Sequence, residues 1–361
     1  MKKNIKFDAI NVKNCMKRLA ECVPNFSEGR NPCVIKSIAE AIANATVISR
    51  DTDKEEKVKL LDIDSGAAAN RTVMTFAGSP EAVAEAAFRG IEAAGKEIDM
   101  RIQHGTHPRI GAADVVPIVP ISGITLEECA VLARNLAKRV YKELGIPCYC
   151  YEAAALNPER KRLEVCREGG YESLEMKIQD PSARPDFGPG KFTETAAKSG
   201  ASIIGARNFL VAVNFNLDTK DKKTASEIAK DVRESGRNGH PGTLKGVKAL
   251  GWYIEEYGFA QVSMNITDLE ATPLHKAFEE VCRAAGARGR KITGTEIIGL
   301  VPEKVLTDAG EFFAQKYGQE PESEKDLIET AIKKLNLSQI HEFDAKKKII
   351  EYKLFEDINS K

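Results

Sequence analysis

Two histidines, His104 and His107, stand three residues apart in the polar stretch DMRIQHGTHPRIGAAD, which also holds two glycines and one proline. An imidazole has a reference pKa near 6.5, so it can both lose and regain a proton at neutral pH. The stretch falls between a helical pattern and a strand pattern, and loops in that setting often carry functional groups. One reading makes His107 an acid/base, with Pro108 stiffening the loop and Arg109 placed to hold an anion. The same residues also fit a polar surface loop or a set of helix caps. A third reading recruits His104, His107 and Asp114 as metal ligands. It lacks a recognised ligand spacing and sets Arg109 beside the cation, so no metal is expected.

Asp62 and Asp64 share one face of a strand if KLLDIDSG alternates with period two. A carboxylate there could reach a catalytic imidazole, fix its tautomer and steady its charged form. An Asx turn before Gly66 fits the same residues. The glycine-rich stretches DFGPGKF and ESGRNGHPGTLKG match neither G-x-G-x-x-G nor the phosphate loop, which argues against dinucleotide or nucleoside triphosphate binding. Arg207, Arg237, His240 and Lys245 could line an anion-binding face or simply be solvated. Trp252 and Tyr253, beside Gly251, are expected to fill a sheet core.

The elements that must position these residues follow from periodicity. A strand at Glu21–Val23 leads into a turn, and Asn31-Pro32 reads as the N-cap and first position of a helix. KVKLLDIDSG and RTVMTFAG read as strands, and the alanine-rich Glu81–Glu97 as a helix. DVVPIVPI is a strand whose Pro117 and Pro120 argue for an edge position or an irregular course. Thr125 and Glu128 form the capping-box pattern of a helix reaching Leu144, after which PCYCYEAA returns as a strand. The segment from Glu159 to Phe187 is polar and turn-rich.

A second set begins with the apolar strand Phe209–Leu217. A helix over TASEIAKDVRES, two strands in GWYIEEYGFAQVSMNITD, a helix over PLHKAFEEVCRAAGARG and a strand in KITGTEIIGLVP follow. The tail adds a helix over Ser323–Leu335 and a strand-like KKKIIEYKLF. At 361 residues the chain exceeds the usual size of one core. The reading is therefore an N-terminal extension over 1–20 and two βαβ-like halves, 21–208 and 209–361.

Composition narrows the partners. Lys+Arg and Asp+Glu both number 53, so no global positive field would draw the chain to nucleic acid. Apolar runs such as Val115–Ile121 are too short to span a bilayer, and the opening MKKNIKFDAINVKN lacks the apolar core of a secretory signal, so a cytoplasmic location is expected. The eight cysteines show no C-x-x-C pair and read as small buried apolar residues.

Seven stretches together carry a family resemblance: ECVPNFSEGR, LLDIDSGAAANRTVMTFAG, IDMRIQHGTHPRIGAADVVPIVP, PDFGPGKF, GARNFLVAVNFNL, GWYIEEYGFAQVSMNITDLEATPLH and TGTEIIGLVP. In this order the sequence resembles the formiminotransferase family. The resemblance implies an α/β fold of the α+β type: two subdomains, each a sheet covered on one side by helices and ferredoxin-like in character, with folate held in a cleft between them. It implies transfer of a formimino group between N-formimidoyl-L-glutamate and tetrahydrofolate, giving L-glutamate and 5-formimidoyltetrahydrofolate. A related transfer of a formyl group to glutamate and a non-catalytic folate-binding role use the same motifs.

The family's catalytic histidine falls on His107 and its assisting aspartate on Asp64. Its folate-binding stretch falls on Gly188 to Gly200, including Pro189, Gly190, Lys191, Phe192 and Thr193. Both substrates carry carboxylates, for which Arg109, Arg207 and Lys245 are candidate clamps. The family's cyclodeaminase half has no counterpart here, so transfer alone is expected, in a homodimer.

Overall fold

The computed structural model describes residues 18–48 and 53–355. Residues 1–17, which hold most of the expected extension and Cys15, lie outside the described residues. The chain divides into two compact units, Met1–Arg207 and Asn208–Lys361.

The strands of the first unit are β1 (Leu19–Cys22), β2 (Asn25–Phe26), β3 (Thr46–Ile48), β4 (Glu55–Lys57), β5 (Lys59–Gly66), β6 (Arg71–Gly78), β7 (Ala113–Ser122), β8 (Cys148–Glu152) and β9 (Ser202–Ala206). Its helices are α1 (Pro32–Ala43), α2 (Pro80–Glu97), α3 (Leu126–Leu144) and the short α4 (Leu163–Arg167), α5 (Leu174–Gln179) and α6 (Glu194–Ser199). β1 already includes Leu19 and Ala20, so the sheet begins inside the range read as an extension.

Local chemistry explains the main helix ends. The Asn31 side chain accepts from the amides of Cys33 and Val34, and Pro32 occupies the first turn. Thr125 and Glu128 form a reciprocal capping box at the start of α3.

The seven-stranded sheet runs β5-β6, then β1 and β2 in succession, then β7-β9-β8. β7 pairs with β9 in parallel and with β1 and β2 antiparallel, so it is an interior strand and not an edge. Its prolines fit because the neighbouring chain is itself interrupted at Val23-Pro24, where the Val23 amide donates to the Pro117 carbonyl. The irregular course expected from the prolines appears as register shifts in β7, which skips Ile121 opposite β1 and Asp114 opposite β2.

Alternation along β6 sends Thr72, Met74 and Phe76 to one face and Arg71, Val73 and Thr75 to the other. Met74 and Phe76 are fully buried in a core with Ile38, Ile42 and Phe88. Each such side chain contributes roughly 1.5–3 kcal/mol on burial. The opposite face is covered at the β7-β9-β8 end, where Cys166, Leu174 and Ile178 pack with Val115, Tyr149 and Ile203. The polar 159–187 segment is thus partly helical and supplies a second layer.

The second unit contains β10 (Val211–Leu217), α7 (Lys222–Val232), β11 (Val247–Ile254), β12 (Phe259–Ile266), α8 (Leu274–Gly286), β13 (Ile292–Ile298), α9 (Glu303–Lys316), α10 (Glu324–Leu335), α11 (Ala345–Lys348) and α12 (Ile350–Phe355). Its sheet, ordered β11-β12-β10-β13, is wholly antiparallel. Phe215, Val262, Met264, Val281 and Phe313 meet in its core.

Two sequence expectations are corrected here. KKKIIEYKLF is helical and not a strand: Ile349 makes one bridge with Val301, and the chain then turns into α12 with Ile349 and Ile350 buried. Tyr253 is not core but 36% exposed, because it lies near the end of β11. Trp252 is partly buried and donates its indole N–H to Gln261 across the β11–β12 pair.

Among the described cysteines, Cys22, Cys129, Cys148, Cys150 and Cys166 are buried, whereas Cys33 is exposed. Burial pushes the thiols of Cys129 and Cys166 up to about 11, which makes them poor nucleophiles.

Among the described residues, no helix is long and apolar enough to cross a membrane.

Candidate active site

The loop bearing His107 is laced to the turn between β5 and β6. The Asn70 side chain donates to the His104 carbonyl and accepts from the Gly29 amide, and the Gln103 side chain donates to the Asn70 carbonyl. Gly105 is required by this close approach: a Cβ there would stand 2.2 Å from the Ala69 carbonyl oxygen. The segments NFSEGR, SGAAANR and HGTHPR, far apart in sequence, therefore meet at one place.

The same loop is fastened on its other side to the end of the stretch 188–200. The Ala112 amide donates to the Ser199 carbonyl and the Ala201 amide to the Ile110 carbonyl. Gly200, at φ +68°, leaves no room for a Cβ, which would approach the Ile110 carbonyl to 2.3 Å. Gly188, Pro189, Gly190, Lys191 and Phe192 form neither helix nor strand, and Phe192 packs against the core that covers β9. Thr193 caps α6 by accepting from the Ala196 amide.

His107 is half-buried. Its Nδ1 lies 2.8 Å from the Pro108 carbonyl oxygen and 3.0 Å from NH1 of Arg71. Only one of these can be a hydrogen bond at a time: Nδ1–H donates to the carbonyl, or bare Nδ1 accepts from Arg71. The first state leaves Nε2 as a lone-pair base; the second leaves Nε2–H as an acid.

Behind the imidazole lies a charged relay. Arg71 NH1 donates to Oδ2 of Asp114 at 2.8 Å, and Arg167 NH2 donates to the same oxygen at 2.7 Å. Asp114, fully buried, accepts through Oδ1 from the Ile110 amide. Arg71 Nε donates to Asn25. Burial is the main cause that brings the Arg71 guanidinium down to about 10; Arg167 adds to it and Asp114 opposes it. Burial, and then the charge of Arg71, lower the His107 imidazole to about 3. His107 is therefore neutral at physiological pH.

The structure places the other sequence candidates as follows. Asp64, on β5, pairs with Val73, and Gly66 pairs with Arg71, so Asp64, Asp62 and Arg71 share the sheet face opposite the helical core. Arg109 donates to Gln103 and makes a two-point ion pair with Glu172, which holds the Glu172 carboxyl below its usual range. The Arg207 side chain hydrogen-bonds Tyr151. Lys245, in the second unit, is exposed. Arg237 in that unit pairs with Glu227 and Asp231, and with His240 it lines a cavity of about 300 Å³. Arg71, Arg167 and the relay role of Asp114 were not visible in the sequence reading. Arg71 carried one signal, a charge opening an apolar strand inside LLDIDSGAAANRTVMTFAG; Arg167 carried none.

Both units are α/β modules, and the first presents a neutral imidazole beside buried cations. A family described as "Formiminotransferase domain, N-terminal subdomain" matches residues 19–207, and one described as "Formiminotransferase domain" matches 212–355. The chain belongs to the formiminotransferase family. It is 43% identical to the formimidoyltransferase-cyclodeaminase of Gallus gallus over 93% of this chain and 60% of that one. It is 41% identical to the glutamate formimidoyltransferase of Thermoplasma acidophilum, covering 83% of this chain and 93% of the relative, and 41% identical to that of Streptococcus pyogenes, covering 83% and 94%. The chain spans about 60% of the length of the bifunctional relatives.

Proposed function

We propose that this protein is a glutamate formimidoyltransferase that moves the formimino group between N-formimidoyl-L-glutamate and tetrahydrofolate, with His107 as acid/base. The observation that carries the reading is the His107 ring itself. It is neutral, its Nδ1 is engaged from within the protein, and its Nε2 has no partner among the described residues.

Tetrahydrofolate, when bound, supplies the accepting N5 nitrogen. With Nδ1–H donating to the Pro108 carbonyl, His107 takes the proton from that nitrogen on Nε2 and returns it to the departing glutamate nitrogen. General acid/base transfer of this kind contributes roughly 10²–10⁴ in rate. Asp64, on the same sheet face as Arg71, is the assisting carboxylate that offsets the imidazolium charge. The irregular backbone of Gly188–Phe192 offers amides and carbonyls to the folate, and the tie of Ser199 and Ala201, at the far end of the same stretch, to the His107 loop keeps binding and proton transfer in register.

The test is direct. Purified protein is incubated with tetrahydrofolate and N-formimidoyl-L-glutamate, and the 5-formimidoyl product is followed. Formation of that product supports the reading. A preference for a formyl donor in competition makes the chain a formyltransferase, and folate binding without turnover makes it a binding protein. The expected cytoplasmic homodimer belongs to the same proposal, and light scattering on the purified chain tests the dimer.

A further inference from the structure

Arg71 and Arg167 converge on a single oxygen of Asp114, so two guanidiniums share one buried carboxylate and one positive charge is left over. Their side chains are 12% and 13% exposed, which leaves little water to screen that excess. The Nε of Arg167 is enclosed with no acceptor among the described residues. An unsatisfied donor on a charged group is costly, so the enclosed Nε makes a counter-charge elsewhere on this guanidinium more valuable. NH2 of Arg71 also has no acceptor among the described residues, since that residue spends Nε on Asn25 and NH1 on Asp114 and on either Pro108 or His107. By contrast all three guanidinium nitrogens of Arg109 are engaged by Gln103 and Glu172.

We propose that Arg71 and Arg167, bridged by Asp114, seat the α-carboxylate of the glutamyl substrate and so position its nitrogen against His107. The inference rests on the transfer reading above and adds the residues that recognise the amino acid. Distance selects this carboxylate. Three contacts of hydrogen-bond length connect Arg167 to the imidazole through Asp114 and Arg71. The reacting nitrogen of the amino acid is attached to Cα, and its α-carboxyl carbon lies about 2.5 Å away. The γ-carboxylate sits two carbons further out, and the glutamyl carboxylates of folate lie beyond an aromatic spacer from N5. An anion in this seat also offsets the positive field on the imidazole and readies it to accept a proton.

Binding to the full chain tests the seat separately from turnover. By calorimetry, the wild-type protein should bind L-glutamate and its γ-amide, and should bind the α-amide at least ~10-fold more weakly, as expected for loss of a charge-assisted pair. Arg167→Gln should weaken L-glutamate about tenfold or more, raise KM for N-formimidoyl-L-glutamate in parallel and leave KM for tetrahydrofolate in place. Arg167→Lys should recover part of the loss. Equal binding of α- and γ-amides, a result that depends on no variant, would overturn the proposal while leaving the transferase reading intact. A KM effect confined to folate, growing with its glutamate number, would overturn it too by assigning the seat to the folate tail. Wild-type protein that neither binds glutamate nor turns over removes the transferase reading itself.

Discussion

The guanidinium of Arg71 meets the imidazole of His107 at 3.0 Å, on the same ring nitrogen that reaches the Pro108 carbonyl. A cation held there opposes protonation of the ring. It also offers a donor to Nδ1 that competes with the carbonyl for control of the tautomer. The chemistry assigned to Nε2 is thus set by two groups on the far side of the ring.

Removing the ring should remove the proton relay. His107→Ala is expected to lower kcat by roughly 10²–10⁴ while leaving the far-ultraviolet circular dichroism unchanged. Near-normal turnover in a folded variant would reject His107 as the acid/base.

The low His107 pKa fixes the direction of two pH effects. In the free enzyme the ring stays neutral down to about 3, so kcat/KM should show no acid limb near 6.5 belonging to His107. In the unfolded chain the ring titrates near 6.5, so between about 6.5 and 3 the unfolded state binds more protons. The His107 contribution to stability therefore falls as pH drops through that window. Denaturant titrations at pH 7 and pH 4 should show a smaller acid loss for His107→Gln than for wild type.

Arg71→Met should release the ring from its neighbouring charge. The His107 resonance, followed by NMR, is expected to titrate at higher pH than in wild type, and saturating L-glutamate should move the wild-type ring the same way. A ring that titrates identically in all three states would remove Arg71 as its electrostatic control.

Asp114 and Asp64 should separate by phenotype. Asp114→Asn leaves two guanidiniums without their shared buried counter-charge, and a stability loss of about 3–5 kcal/mol is expected in urea unfolding. Asp64→Asn, on a partly exposed strand end, should lower turnover and shift the pH-rate profile with a stability change under ~1 kcal/mol.

Gly200→Ala places a Cβ against the Ile110 carbonyl at a positive φ. Beyond the ~1–3 kcal/mol of backbone strain in a region that essentially only glycine occupies, it should separate the stretch 188–200 from the His107 loop. The expected result is a lower Tm together with a higher KM for tetrahydrofolate. A lower Tm with an unchanged KM would assign Gly200 to folding alone.

Much of this protein was legible in its sequence because the signals are local. Asn31-Pro32 and Thr125–Glu128 cap helices through hydrogen bonds a few residues long, and the alternation of β6 separates its core face from its polar face. The motif around His107 named the residue that could move protons. KKKIIEYKLF misled because an apolar pair between charged residues fits a strand or a helix, and only its neighbours decide. The prolines of β7 misled for a similar reason: the gap at Val23-Pro24 that accommodates Pro117 lies across the sheet.

Tertiary structure alone decided what surrounds the imidazole. Arg71 opens β6, Asp114 lies in β7 and Arg167 ends α4, and no spacing in the chain announces that they converge on one carboxylate oxygen. A pattern of residue types can nominate a proton carrier, because acid/base chemistry belongs to the side chain. Its pKa, its tautomer and the anion it works beside depend on charges a few ångströms away, and folding alone brings those together.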